Sequence, residues 1–143
     1  MIRLWVLPEH RLVVRQLCGE VTLEEALETA FEALEHPDYQ TGFVTLQDHR
    51  RAHFDLSGVE LAELAKQLQP RIKTIGRMAM VVNNPLAWGI TRMAAVFLRP
   101  LGAEIRPCHT VREAKEWLGL PASLRLPFES DSDRKAEGQP VAG

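Results

Sequence analysis

The spacing of hydrophobic residues changes several times along the chain, and each change predicts a new secondary-structure element. Two short apolar runs, residues 2–7 and 11–18, flank a turn at Pro8 and predict an antiparallel hairpin. After Gly19 the apolar residues recur every three or four positions, which predicts an amphipathic helix. Strands and helices then alternate as far as Gly119, which is the pattern of a parallel sheet with helical crossovers.

Capping residues mark where the predicted helices begin. A serine or threonine followed three residues later by glutamate forms a capping box, in which each side chain bonds the backbone N–H of the other residue. Three helices have this signal, and the remaining helix begins at Pro85, since proline suits the first helical turn. The three capping residues are Thr22, Ser57 and Thr110.

The predicted fold is α/β, with a mixed, mostly parallel five-stranded sheet in the order β-β-α-β-α-β-α-β-α. Arg15, Thr45 and Gln47 make one face of that sheet more polar than the other. When helices cover both faces of a sheet, its strands are apolar at nearly every position. We therefore expect helices mainly on one face, with the other partly open to water, the C-terminal tail or a partner. The predicted strands are residues 2–7, 11–18, 43–47, 78–82 and 103–108.

The composition is that of one globular domain. The chain has 143 residues, of which 45% are hydrophobic and 25% are charged, enough to bury a core without a metal or disulfide. The formal net charge of −2 gives no basic field for nucleic acid, and no apolar run is long enough for stable membrane insertion. The first residues lack the pattern of a signal peptide, so we expect a cytoplasmic location.

Residues 1–119 contain every predicted element and form the predicted domain. Residues 120–143 are polar and poor in aromatic residues, so we expect a disordered tail that adds little to the fold. Cys18 and Cys108 lie in predicted strands, outside any metal-binding pattern. We expect two buried thiols, no metal and no cofactor.

Three stretches give the chain a family resemblance. They are the strand-to-helix step Gly19-Glu20-Val21-Thr22, the segment Asp55-Leu56-Ser57-Gly58-Val59 after Asp48, and residues 77–82 with the loop to Pro85. Together with the element order, they resemble the STAS fold of bacterial anti-sigma-factor antagonists. The resemblance is closer to the sporulation stage II AA-like proteins, also described as STAS/Sec14-like, and covers about residues 1–119. It implies helices on one sheet face and a regulatory role in binding another protein.

Ser57 is the candidate phosphoacceptor that this resemblance implies. In antagonists of the phospho-switch type, a serine just before a glycine starts the second helix and is phosphorylated, usually within Asp-Ser-Ser-Gly-Leu. Asp55, Ser57 and Gly58 match that form, and Leu56 departs from it. A phosphate there would meet free N–H groups and the positive end of the helix dipole. Ser57 also fits an N-cap paired with Glu60, so capping alone is the other interpretation.

The densest polar cluster follows the third predicted strand, where α/β folds place ligands. Aspartate and histidine side chains there suit a divalent metal. The adjacent arginines disfavour a metal and suit a phosphate or carboxylate instead. A solvated loop without any ligand is the third interpretation. The predicted partner or ligand loop comprises Asp48, His49, Arg50, Arg51, His53, Asp55 and Gly58.

The helix predicted from Pro85 is apolar on nearly all sides. Trp88 and Leu98 lie off its predicted core stripe and form a candidate apolar face. That face suits a protein partner, a second copy of the chain or one wall of a lipid-sized cavity. Alternatively, Trp88 packs over its own loop. The predicted core stripe is Leu86, Ile90, Met93 and Phe97.

Two functions fit these patterns best, and a homodimer is compatible with either. The first is a non-enzymatic regulatory domain that binds a protein partner through the polar loop. The second is a carrier or sensor of a small apolar, lipid-like ligand. A hydrolase or phosphotransfer enzyme that uses the His, Asp and Arg side chains of the polar loop is the third alternative. A carrier needs an enclosed apolar pocket of about 300 Å³ or more, whereas a binding domain has a filled core and an exposed patch. The sequence has no GxSxG elbow, GxGxxG or P-loop, so we assign no catalytic residue.

Overall fold

A computed structural model describes residues 1–54 and 56–129, which form a five-stranded sheet with helices on both faces. The strands are β1 (Ile2–Leu7), β2 (Leu12–Glu20), β3 (Val44–His53), β4 (Met78–Val81) and β5 (Ile105–Cys108). The helices are α1 (Leu23–Leu34), α2 (Gly58–Leu68), α3 (Pro85–Leu98) and α4 (Val111–Leu118). β1 and β2 are antiparallel, and all other neighbouring strands are parallel. The predicted fold class and element order are confirmed.

The helices begin at side chains that accept from their own first turn. Thr22, Ser57 and Thr110 each accept from the backbone N–H three residues later, as the capping pattern predicts. Asn84 does the same for α3, accepting from Ala87 N at 2.8 Å, immediately before Pro85. Local sequence therefore determines all four helix starts.

Three of the four helices lie on the same face for a topological reason. The strand order in the sheet follows the chain, so each crossover between parallel strands advances in the same direction. Right-handed crossovers that advance in one direction place their helices on one face. These crossovers contain α1, α2 and α3, and we call the face that they cover the three-helix face. α4 follows the last strand and packs on the opposite, one-helix face.

The polar row on the sheet lies on the three-helix face, so it is buried rather than open to water. Arg15, Thr45 and Gln47 are all buried beneath the three crossover helices. The expectation that the polar face is the uncovered one is therefore wrong. Polar side chains tolerate this burial where they bond one another or the backbone, a possibility that alternation along a strand does not reveal.

The one-helix face is also covered. Leu46, Val81 and Cys108 pack there against α4 and against Leu126 from the segment that follows it. Leu126 is only 1% exposed. Residues beyond the last helix thus help to cover this face.

Residues 120–129 belong to the fold, which differs from the predicted boundary after Gly119. Lys115 and Glu129 form a buried ion pair with Nζ and Oε2 3.1 Å apart. The same carboxylate accepts from the backbone N of Leu126 at 2.8 Å. An irregular segment gives no periodic signal, so the sequence pattern does not report this packing. Residues 130–143 of the predicted tail lie outside the described residues.

β3 is longer than predicted and absorbs most of the predicted polar loop. Its pairing with β2 continues as far as His53 opposite Glu20. Gln16 pairs with Asp48 whereas Cys18 pairs with Arg51, so β3 has one extra residue in a bulge between these pairs. Backbone pairing with a neighbouring strand here overrides the weak strand propensity of the polar side chains.

Candidate functional site

Ser57 is the N-cap of α2, within a complete capping box. Its Oγ accepts from Glu60 N at 3.2 Å, and Glu60 Oε1 accepts from Ser57 N at 3.2 Å. Ser57 and Gly58 are exposed, and so is Val59 in the first turn. The capping interpretation is observed, and phosphorylation of the same hydroxyl stays a prediction. Asp55, the first matching residue of the motif, lies outside the described residues.

The other residues of the predicted loop do not converge on one ligand. Asp48 is buried and binds Arg50 closely, accepting from its Nε at 2.9 Å and from its backbone N at 3.0 Å. Arg51 and His53 are exposed near the end of β3. His49 is buried on the three-helix face. Across the described part of the chain, no three His, Cys, Asp or Glu side chains are grouped as a metal site.

A chain of three polar side chains crosses the three-helix face from β2 to β3. Arg15 Nη1 donates to Gln47 Oε1 at 2.8 Å. The Nε2 of Gln47 therefore faces His49 and donates to its Nε2 at 2.6 Å. Burial, aided by the positive charge of Arg15, lowers the pKa of His49 to about 4. His49 is thus neutral at neutral pH, so its Nε2 can stay unprotonated and accept the hydrogen bond from Gln47.

Arg15 supplies the positive charge in this row of three buried polar side chains. Its Nη2 donates to Ala26 O at 2.9 Å and to Thr29 Oγ1, both on α1. Its Nε has no hydrogen-bond partner among residues 1–54 and 56–129. Burial lowers the pKa of Arg15 to about 10, so the guanidinium keeps its charge at neutral pH. The sequence pattern placed Arg15 on a polar face without marking it as a site. The signal available was a charged residue between the apolar Val14 and Leu17.

A cavity of about 80 Å³ lies beside Arg15, between the sheet and α1, α2 and α3. Its walls are apolar apart from a few groups on β2 and β3. Both Arg15 and Gln47 line it. This is well below the roughly 300 Å³ of a typical ligand pocket, so the interior does not match the lipid-sized cavity of the second predicted function.

α3 buries a different side from the one predicted. Leu98, predicted to lie on an outer apolar face, is only 4% exposed and packs in the core. The buried side is instead made of Thr91, Ala94 and Leu98. The small side chains of Thr91 and Ala94 let the helix approach its neighbours closely, and Leu98 fills the core at its end. Four large apolar side chains, between 39% and 72% exposed, lie on the opposite side, which we call the α3 ridge. The ridge comprises Leu86, Met93, Val96 and Phe97.

Trp88 packs against the loop after β5. Its ring stacks on His109 with centroids 4.1 Å apart and planes inclined by 23°. Trp88 is half-buried and borders an open groove of about 660 Å³ along α3 and β5. Trp88 thus packs over a loop, but that loop follows β5 and is not the one that precedes its own helix.

The molecule is thus an α/β domain with a mixed sheet and a capped α2, and its described residues contain no group of three His, Cys, Asp or Glu side chains that could hold a metal ion. A solved structure of an uncharacterized protein of the DUF3478 family from Shewanella loihica PV-4, described as having a SpoIIAA-like fold, is similar to it at TM-score 0.59 and 21% sequence identity. The match covers 82% of this chain and 93% of that one. The fold is SpoIIAA-like, which is the STAS fold of anti-sigma-factor antagonists, so the resemblance is confirmed at the level of fold. No family model and no curated protein matches the sequence.

No helix among the described residues is long and apolar enough to cross a bilayer.

Proposed function

We propose that this protein is a non-enzymatic, cytoplasmic STAS-like regulatory domain that binds a protein partner. The observation that carries the proposal is the α3 ridge. Four large apolar side chains within one side of a single helix form an exposed patch, and such patches mark interaction sites on soluble domains. The small interior cavity points the same way, since it leaves little room for a lipid-like cargo.

The charges beside the ridge indicate the chemistry of the partner. Arg92 and Arg99 border the groove next to Val96, and neither forms an ion pair within the part of the chain that the structure describes. The acidic Glu104 of the same groove is already bound by Arg77, with Nε and Oε2 3.1 Å apart. An apolar ridge with a basic border suits a partner surface that combines apolar and acidic residues.

The exposed start of α2 supplies a means of regulation. Ser57 presents its hydroxyl at a helix N-terminus, next to the exposed apolar Val59. Phosphorylation there would place about two negative charges beside that apolar side chain and weaken its burial against a partner. Ser57→Asp keeps the N-cap and adds charge, whereas Ser57→Ala removes the cap and adds none. Loss of partner binding in Ser57→Asp with retention in Ser57→Ala is therefore the signature of the switch.

The ridge is tested by charge substitution on the exposed side of α3. Tagged protein is expressed in its native host, and the proteins that copurify with it are quantified by mass spectrometry. Met93→Asp and Phe97→Asp should reduce recovery of the main partner at least about tenfold, because a charge at the centre of an apolar interface is costly to bury. The control Lys73→Asp changes an exposed side chain on another segment and should leave recovery unchanged.

Two results would contradict this proposal. One is equal recovery of the partner by wild type and both aspartate variants, provided that their circular dichroism matches wild type. The other is sedimentation velocity in which wild type forms a dimer that Phe97→Asp disrupts. That result would assign the ridge to a second copy of the chain.

A further inference from the structure

The charge of Arg15 is buried without an opposite charge. Arg15 is only 6% exposed, and none of the acceptors that it contacts, on Gln47, Ala26 and Thr29, is a carboxylate. Its Nε–H remains without an acceptor among the described residues. Burying a charge without an opposite charge is unfavourable, and a buried N–H without an acceptor adds to the unfavourable free energy. Such an arrangement favours any anion that can reach the guanidinium.

The cavity beside Arg15 has room for such an anion. On the α1 side it is lined by three small side chains, Ala26, Ala30 and Ala33. Its volume of about 80 Å³ is several times the roughly 10–15 Å³ that a single water needs, so a small ligand of several non-hydrogen atoms has room there. The wall also contains the thioether side chains of Met78 and Met80 on β4 and aliphatic side chains of α2 and α3.

We infer that this cavity is a binding site for a short aliphatic carboxylate. One carboxylate oxygen accepts from the Nε of Arg15, and the hydrocarbon tail lies against the alanines of α1. A carboxylate of about four to six carbons matches the available volume. The inference concerns the interior of the domain and is independent of the α3 ridge.

The same geometry excludes other ligand classes. A cation is repelled by the guanidinium, and a neutral alcohol leaves its charge uncompensated. Phosphate carries more charge and more acceptor oxygens than one free N–H in an apolar wall can satisfy. A long fatty acid exceeds the volume of the cavity. Selectivity for a short monocarboxylate is therefore the distinguishing property of the site.

Calorimetric titration of the full chain at about pH 7 tests this selectivity, with hexanoate as the probe. We expect saturable binding of hexanoate and no binding of hexanol or hexylamine at the same concentrations. Dodecanoate should bind at least about tenfold more weakly than hexanoate. Absence of hexanoate binding to wild type, or equal binding of hexanol, overturns the inference.

Two variants locate the site. Arg15→Met removes the charge, and Ala30→Leu fills the cavity while leaving Arg15 in place. Each should weaken hexanoate binding about tenfold to a hundredfold, the effect of losing a charged hydrogen bond or the space for the tail. Arg3→Met, an exposed arginine on the neighbouring strand, is the matched control and should bind as wild type does.

The second variant keeps the test decisive if Arg15→Met fails to fold. Ala30→Leu retains the hydrogen bonds of Arg15, so a folded Ala30→Leu protein that still binds hexanoate with wild-type affinity overturns the inference. Loss of binding in Ala30→Leu with a wild-type circular dichroism spectrum supports it.

Discussion

The two faces of the sheet bury positive charge in opposite ways. On the one-helix face, Lys115 is neutralised by Glu129 at 3.1 Å. On the three-helix face, Arg15 contacts neutral acceptors only and leaves Nε unbonded within the described residues. The first arrangement is complete within the chain and holds the C-terminal segment in place. The second is incomplete without an external anion, so the comparison separates a structural charge from one available for binding.

Truncation is the most severe test of the structural side. A chain that ends at Gly119 loses Leu126 from the core and loses Glu129, the carboxylate that pairs with Lys115. We expect the free energy of unfolding to fall by about 5 kcal/mol or more. Thermal denaturation should show a midpoint lower by more than about 8 °C, or no folded protein at all. A truncated chain that melts close to full length would mean that the segment contributes nothing.

A single substitution isolates the ion pair from the rest of that segment. Glu129→Ala leaves Lys115 charged and buried, which should cost about 3–5 kcal/mol in urea denaturation. The control Glu116→Ala removes an exposed carboxylate from α4, the helix that contains Lys115, and should change stability by less than about 0.5 kcal/mol. Replacing both Lys115 and Glu129 by methionine should recover most of the loss. Failure of that recovery would show that the charges themselves are needed.

The buried His49 on the three-helix face is tested by measuring the free energy of unfolding at acidic pH. The pKa of His49 is about 4 in the folded protein, below the ordinary value of 6.5. Between these two values the unfolded chain binds a proton that the folded chain excludes, so stability falls as pH decreases through this window. The expected contribution is about 1.4 kcal/mol per pH unit. His49→Gln should flatten this dependence, whereas His53→Gln, exposed on the same strand, should not.

The smallest expected effect belongs to the surface. Ser57→Ala removes the acceptor for Glu60 N and should cost about 1 kcal/mol. Ser57→Asp keeps an acceptor there and should stay within about 0.5 kcal/mol of wild type. No loss in Ser57→Ala would mean that the capping box contributes little. Equal losses in both variants would mean that aspartate does not replace the cap, and would remove the distinction on which the switch experiment depends.

Features decided within a few residues are the ones that the sequence predicts well. Thr22, Ser57 and Thr110 cap their helices as expected because a capping box needs only a serine or threonine and a glutamate three positions apart. The order of strands and helices is predicted well because the spacing of apolar residues within each short segment distinguishes a strand from a helix.

Features decided by tertiary packing are predicted poorly. On α3, the apolar stripe through Met93 and Phe97 resembles a core face, yet small residues on the other side pack against the sheet. Arg15 and Gln47 indicate a polar surface by alternation alone, although their hydrogen bonds allow full burial. Leu126 and Glu129 belong to no periodic pattern, so their role emerges only when the segment lies against α4.

The strand order also constrains how the chain acquires its structure. Each strand pairs with the strands before and after it in sequence, so no strand has to be inserted between two that are already paired. The β1–β2 hairpin can form first, and each later strand can be added at the growing edge with its crossover helix. This strand order therefore allows the sheet to assemble in the order of synthesis. α4 and residues 120–129 are the last described elements along the chain, and they pack on the one-helix face across strands that precede them in sequence.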